Sequence, residues 1–305
     1  MKKKTIQNDI VDEESRAIYK VKISDFIMMT ILFILCLTCI LPFLHIGAKS
    51  ISSTEFVVAK KVFFWPIGIN FEAYTSIFRD GSLTYSMGYS VIVTIIFTVI
   101  GMIVCCCAAY PLSKRRLKGR TFLAFILLFP MYFGAGLIPS YLLYKNLHIL
   151  DTPWVLILPL VYSPYNMLIM KTYFQSSIPD SLEESAFLDG ASNIQILRKI
   201  ILPLSKPIIA TLSLFYAVGR WNAYSDAMYF IKSQKYKPIQ YMLSQMVSSA
   251  SEAQTISLSE ASAVTSSPEV LQAAMIMFVT LPVICIYPFI QKYFTKGVMI
   301  GAVKG

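Results

Sequence analysis

Six apolar runs, at about 26–46, 85–112, 122–144, 154–174, 208–231 and 270–294, constrain what this chain of 305 residues can become. About 20 residues in a helix, at about 1.5 Å rise each, cross the roughly 30 Å of hydrocarbon in a bilayer. No water is available there to satisfy backbone N–H and C=O groups, so each run has to form its own hydrogen bonds as a helix. The expected fold class is therefore all-α, a polytopic membrane protein with six transmembrane helices. A composition of 56% hydrophobic and 14% charged residues, with mean hydropathy +0.61, agrees with that reading and excludes an ordinary soluble domain.

The formal charge of +10 raises the question of nucleic acid, and the placement of the charge answers it. Six spans put both termini on one side. On that side fall Lys2, Lys3, Lys4, Arg16, Lys20 and Lys22 of a polar arm at 1–23, and then the short cluster Lys114, Arg115, Arg116, Lys118 and Arg120. Lys171, Arg198, Lys199, Lys206, Lys292, Lys296 and Lys304 follow on the same side. Positive charge in short loops marks the cytoplasmic face, so the expected topology is N-in/C-in, with no nucleic-acid partner. The first run is long enough to span and is followed by no small-residue cleavage site, so no cleavable signal peptide is expected. The loops at 47–84 and 232–267 are then external. Within them, 70–78 reads as an amphipathic interfacial helix, and a helix is expected at about 239–247.

Several runs carry marks of their own. The third is interrupted by Pro130, Gly134, Gly136 and Pro139, residues tolerated in a span where neighbouring protein or a cavity satisfies the freed backbone. Cys36 and Cys39 have CxxC spacing but no acidic or histidine neighbour, and read as membrane packing, as do Cys105, Cys106, Cys107 and Cys285. His45 and His148, near outer span ends, read as interfacial histidines, and no metal site is expected.

Polar side chains inside the fourth and fifth runs are the candidate cavity residues. Tyr162, Asn166 and Tyr173 fall on one helical stripe, and their hydroxyl and amide groups need partners within the bilayer. The fifth run holds Tyr216, Arg220, Trp221, Asn222, Tyr224 and Asp226. On a continuous helix Tyr216, Arg220 and Tyr224 share a face, and Asn222 and Asp226 share another. Arg220 and Asp226, six residues apart, then point about 120° from each other, so each is expected to find a different partner.

Between the fourth and fifth runs lies a charged island, Glu183-Glu184-Ser185-Ala186-Phe187-Leu188-Asp189-Gly190, continuing through Leu202-Pro203. It reads as two short helices hinged at Asp189 and Gly190, since glycine takes positive φ without strain. Ser181 is the expected N-cap, with Glu183 and Glu184 in the first turn. The second helix is expected from about Ser192 to Leu202, with Pro203 closing it.

Glu184-Ser185-Ala186, then Gly190 four residues on, then Ile200-x-Leu202-Pro203 resembles the "EAA" signature of the permease subunits of bacterial ABC importers, with Ser185 in place of an alanine. Gly136-Leu137-Ile138-Pro139, Gly219-Arg220-Trp221-Asn222 and the tail Lys296-Gly297-Val298-Met299-Ile300-Gly301 narrow the likeness to carbohydrate-uptake permeases, similar to the subgroup assigned to aldouronate and pectin-derived oligosaccharides. The resemblance implies a type I importer permease fold over 24–305 in a bacterial cytoplasmic membrane. It also implies a cytoplasmic coupling loop at 178–203, with Glu183, Glu184, Ser185, Ala186, Asp189, Gly190, Leu202 and Pro203 engaging the ATPase, and a cytoplasmic tail at 295–305.

The implied partners are a second permease in a heterodimer, a homodimeric cytoplasmic ABC ATPase, an external solute-binding protein, the oligosaccharide and membrane lipid. The candidate cavity residues are Tyr162, Asn166, Tyr216, Arg220, Asn222, Tyr224 and Asp226, with Arg220 a candidate for a uronate carboxylate. No Walker A pattern occurs in the chain, so it is expected to bind no cofactor itself, with ATP and Mg on the partner ATPase. Alternatives are a permease for a neutral sugar or other small solute, a polytopic membrane enzyme, and a secondary transporter. The enzyme reading lacks an acid, base or metal cluster, and the secondary transporter lacks the internal repeat expected of many such folds.

Overall fold

The computed structural model describes residues 23–256 and 268–302. Most of the expected cytoplasmic arm therefore lies outside the described residues, as do 257–267 of the second loop expected to be external and 303–305 of the expected tail. Among the described residues the chain is helical throughout, with one antiparallel bridge, Ser52 to Ile69.

Three helices are apolar and long enough to cross a bilayer unbroken. They are α1 (Ile23–Ser50), α4 (Ser82–Ser113) and α13 (Pro268–Ala302), the last continuing through most of the expected tail. Two short helices, α2 (Thr54–Val58) and α3 (Glu72–Asp80), occupy the loop between the first two spans, the first of the two expected to be external. The second is the expected amphipathic helix: Ala73 and Ile77, one turn apart, are buried while Phe78 edges onto the ring of Phe278 at 5.5 Å.

The other expected spans are bent. The third is α5 (Arg120–Tyr132) and α6 (Leu137–Asn146), which turn by 115° across 133–136. Pro130 removes a helical donor and Gly136 sits at φ 83°, so the break falls where the Pro and Gly residues foretold it. The fourth starts as two 3-10 turns, Pro153–Leu156 and Leu158–Leu160, and bends by 48° into α7 (Pro164–Ser177).

After α7 come α8 (Asp180–Leu188) and α9 (Asn193–Leu204), and α9 meets α10 (Lys206–Asn222) at 84°. The fifth expected span is a correction. Its helix stops at Asn222, Ala223 is extended at ψ 125°, and α11 (Ser225–Phe230) starts afresh. The helix expected at 239–247 is longer, α12 (Ile239–Ile256), and its first N–H is anchored on Ser90 Oγ at 2.8 Å.

Helices α4, α7 and α10 pack into the main core, around Phe97, Cys105, Met167, Met170, Phe174, Leu212 and Tyr216. Gly101 permits a close approach in it, because a Cβ there would stand 2.8 Å from the Tyr216 ring. A second cluster, with Val57, Ile77, Trp221, Ile239, Ala274 and Met275, joins α13 to the loop helices at the other end. Asp151 ties the loop before the fourth run to the end of α11. Its carboxylate accepts from the backbone N–H groups of Lys232 (2.9 Å) and Ser233 (2.8 Å) and from the Ser233 hydroxyl (2.5 Å). Those bonds hold the Asp151 carboxyl below the ordinary carboxylate range, the Ser233 hydroxyl contributing most and partial burial opposing it.

The six cysteines are unpaired, and no group of metal-ligating side chains occurs among the described residues. His45 Nδ1 meets the Phe63 carbonyl at 2.7 Å.

Candidate functional site

The hinged segment is built from two standard helix ends placed back to back. Helix α8 begins at Asp180 with Pro179 as its N-cap, so Ser181 is not the cap expected from sequence, and Glu184 falls beyond the first turn. Pro179 pre-sets an extended entry, and the Ser181 carbonyl instead accepts from the Ser185 hydroxyl at 2.9 Å. At its far end the N–H of Gly190 donates to Phe187 O (3.0 Å) and that of Ala191 to Ala186 O (2.9 Å). That pair of bonds is a Schellman motif, and it needs the left-handed residue that Gly190 supplies at φ 80°.

Ser192 then opens α9 through a reciprocal capping box with Gln195. The helix runs through Pro203 to Leu204, so Pro203 does not close it as expected; one π turn, Leu197–Ile201, lies just before it, where the missing N–H and bulky ring of Pro203 disfavour the ordinary ladder. Leu202 is half-buried and Pro203 exposed.

One side of this segment is clamped to the body. Ala186, Ile196 and Ile201 are buried, and Glu183, which is 5% exposed, pairs with Lys114 from the end of α4. Arg116 stacks on the Phe187 ring at 4.0 Å and donates to Asn193 Oδ1 at 2.7 Å. Lys114 and Arg116 entered the sequence reading only as markers of sidedness. Their partners lie 69 and 77 residues away, and no spacing in the chain announces those pairs. The rest of the segment's surface is free: Leu188 is 90% exposed, Ile194 69% and Leu182 43%, together with Glu184, Ser185 and Asp189.

The candidate cavity residues do not form one wall. A hollow of about 520 Å³ between α7 and α10 is lined by Ser163, Tyr165, Asn166, Leu214, Phe215 and Val218. Of the seven residues singled out from sequence, only Asn166 reaches it. Tyr162 donates to Leu127 O at 2.7 Å, and Tyr173 reaches Leu204 O at 3.4 Å. Tyr216 is buried edge-on against Phe97, Asn222 accepts from Gln240 Nε2, and Tyr224 is exposed on the break before α11.

Arg220 is the larger correction. Its Nη1 donates to Asp226 Oδ2 and to Leu156 O (2.8 Å), and its Nη2 donates to Asp226 Oδ1 (3.0 Å) and to Ala223 O (3.2 Å). Because the helix ends between Arg220 and Asp226, the 120° separation of a continuous helix does not apply. Ser163 and Tyr165 were missed for a related reason: the bend before α7 shifts the stripe that an unbroken helix would present. Phe215, in the unbroken part of α10, is an apolar residue in an apolar run and carries no signal of its own.

A polytopic helical protein with bent spans, a hollow between them and a clamped helix pair with exposed leucines has the build of a membrane permease. Residues 101–300 match the family described as "Binding-protein-dependent transport system inner membrane component", and the chain belongs to that family. It is 42% identical over 287 residues to the polygalacturonan/rhamnogalacturonan transport system permease protein YtcP of Bacillus subtilis (strain 168), a match covering 94% of this chain and 100% of that protein. Protein LplC of the same organism is 41% identical over 267 residues, covering 87% of this chain and 90% of that one. Among solved structures, a bacterial ABC transporter involved in the import of the acidic polysaccharide alginate superposes with a TM-score of 0.79 at 33% identity. That match covers 90% of this chain and 98% of that chain.

Proposed function

We propose that this chain is one of two permease subunits of an ATP-driven importer of acidic oligosaccharides in a bacterial cytoplasmic membrane, with both termini inside. The observation that carries the proposal is the outer side of the hinged segment. Leu182, Leu188 and Ile194 stand exposed on a charged stretch between the apolar runs, while the inner side is fixed by Lys114 and Arg116. Large apolar side chains left this exposed on a charged stretch mark a protein contact. The partner on this reading is a homodimeric ABC ATPase, which holds the ATP and Mg, and Glu184, Ser185 and Asp189 offer it polar contacts around the leucines.

An external binding protein delivers the sugar to the opposite face, and the hollow between α7 and α10 receives it with the ring faces of Tyr165 and Phe215 and the amide of Asn166. ATP binding turns this cavity outward and hydrolysis returns it inward. The sugar moves that balance only through its different affinity for the two states. The acidic class follows from the relatives, since polygalacturonan and alginate both carry carboxylates. A neutral oligosaccharide is the second reading, and one observation favours it: the hollow is lined by no cation, and Arg220 is already engaged by Asp226.

Leu188→Glu tests the docking face. The variant is expected to insert in the membrane but lose copurification of the ATPase; undiminished copurification with normal uptake contradicts the proposal. Orientation is checked separately by single cysteines at Ser192 and Lys235 on a cysteine-free background. The first is expected to be shielded from an impermeant thiol reagent in intact cells and the second to react, and labelling of Ser192 from outside reverses the topology.

A further inference from the structure

A cleft of about 510 Å³ opens between the end of α4 and the start of α9. Cys107 and Pro111 of α4 and Leu197 of α9 make its apolar side, and Arg116, Lys118 and Asn193 make its polar side. Lys114 also faces it, but its charge is taken by Glu183. Arg116 and Lys118 are met by no carboxylate among the described residues. Arg116 uses one N–H on Asn193 and stacks on Phe187, which holds its planar fork in place with donors to spare. The cleft therefore presents two uncompensated positive charges on a rigid frame.

A second feature is continuous with it. From Cys107 an exposed apolar stripe runs back along α4 through Ile103, Val99 and Ile96, at helical spacings of three and four. Cys107 and Ile96 are separated by about 16 Å of helix, half the thickness of the hydrocarbon core. A small anion would use the cations and leave the stripe untouched. An acyl chain would use the stripe and leave the cations uncompensated.

We infer that this cleft holds the headgroup of an anionic phospholipid from the adjoining leaflet, its phosphate between Arg116 and Lys118 and one acyl chain along Cys107, Ile103, Val99 and Ile96. Basic pockets between spans at the charged face of a membrane protein select anionic headgroups in this way. The leaflet is the cytoplasmic one on the orientation proposed above, but the site does not depend on that assignment. The lipid would rest against both the end of α4 and the helix that follows the Gly190 hinge, where Ile194 of the exposed docking side also lines the cleft, so its occupancy bears on that segment.

The test uses the transporter purified with its partner subunits in a neutral detergent. Retained lipid is counted by native mass spectrometry during titration with phosphatidylglycerol or with phosphatidylcholine of the same chain length. Phosphatidylglycerol is expected to be retained in preference. Lys118→Ala should weaken its retention about fivefold, and Cys107→Trp, which fills the apolar side without changing charge, should abolish it. Excess inorganic phosphate should not displace it. Equal retention of the two lipids overturns the inference, as does retention unchanged in both variants. Displacement by phosphate reduces the cleft to a simple anion site, and loss of a partner subunit in Lys118→Ala shows that protein, not lipid, covers it.

Discussion

Arg220 and Asp226 close on each other across the break between α10 and α11, each Nη of the guanidinium donating to a different carboxylate oxygen. The same guanidinium reaches Leu156 O and Ala223 O, so it also satisfies carbonyls at the 3-10 turn and at the helix end. A charge this deep is a functional candidate by default in a membrane protein, and here its bonds join three elements, the 3-10 turn, the end of α10 and the start of α11.

Arg220→Gln and Asp226→Asn each leave a partner buried and unpaired, a loss expected to be about 3–5 kcal/mol. Both variants should lower the thermal midpoint of the assembled complex. Uptake of a uronate-bearing oligosaccharide and of its neutral analogue should fall in parallel. Selective loss of the acidic sugar in Arg220→Gln, with the midpoint unchanged, would restore Arg220 to the substrate.

The Lys114–Glu183 pair joins α4 to the hinged segment with both side chains nearly out of solvent. Lys114→Ala and Glu183→Gln are each expected to impair ATP-driven uptake more than membrane insertion. The charge exchange Lys114→Glu with Glu183→Lys should recover part of the loss, with a coupling energy of about 0.5–3 kcal/mol in a double-mutant cycle on stability. Additive losses would mean that the two residues act independently.

Gly101 and Tyr216 meet where α4 and α10 pack together, with no room for a Cβ on Gly101. Gly101→Ala pushes a methyl into the ring, an overpacking expected to cost about 1–3 kcal/mol. Tyr216→Leu in the same chain should return part of it. Thermal unfolding of the single and double variants measures both terms; an unperturbed Gly101→Ala protein contradicts the packing described.

Asp151 gives the fold an acid-sensitive loop. Its carboxyl is held below the ordinary range by the Ser233 hydroxyl and the backbone donors, so its folded pKa lies below its unfolded one. The stabilisation is therefore complete above the unfolded value of about 3.9 and is lost as pH falls through the folded value. Asp151→Asn should be less stable than the parent at neutral pH, and the difference should shrink on acidification below about pH 4. A constant difference across that range would refute the assignment.

The six apolar runs, the amphipathic helix at Glu72–Asp80, the interrupted third run and the left-handed Gly190 were all legible in sequence, because each rests on composition, short periodicity or glycine geometry. The ion pairs were not. Arg220 and Asp226 were set apart by a periodicity that holds only on an unbroken helix, and nothing in 220–226 announces the extended Ala223. Lys114 and Glu183 are joined only by tertiary packing, and the positive-inside rule gave Lys114 a sufficient role without it. Leu188 and Ile194 were passed over because an apolar residue in a polar loop is informative only once its exposure is known.

The central claim is that ATP hydrolysed by a partner drives sugar through this permease by way of the segment from Asp180 to Leu204. The most direct measurement is uptake of a labelled oligogalacturonide into proteoliposomes containing this chain, its partner permease and the ATPase, with the loaded binding protein outside and ATP within. Accumulation is expected only with ATP, and is expected to be lost in Leu188→Glu with the permeases still inserted. Uptake that proceeds without the ATPase, driven by an ion gradient, or that is unaffected by Leu188→Glu, contradicts the account.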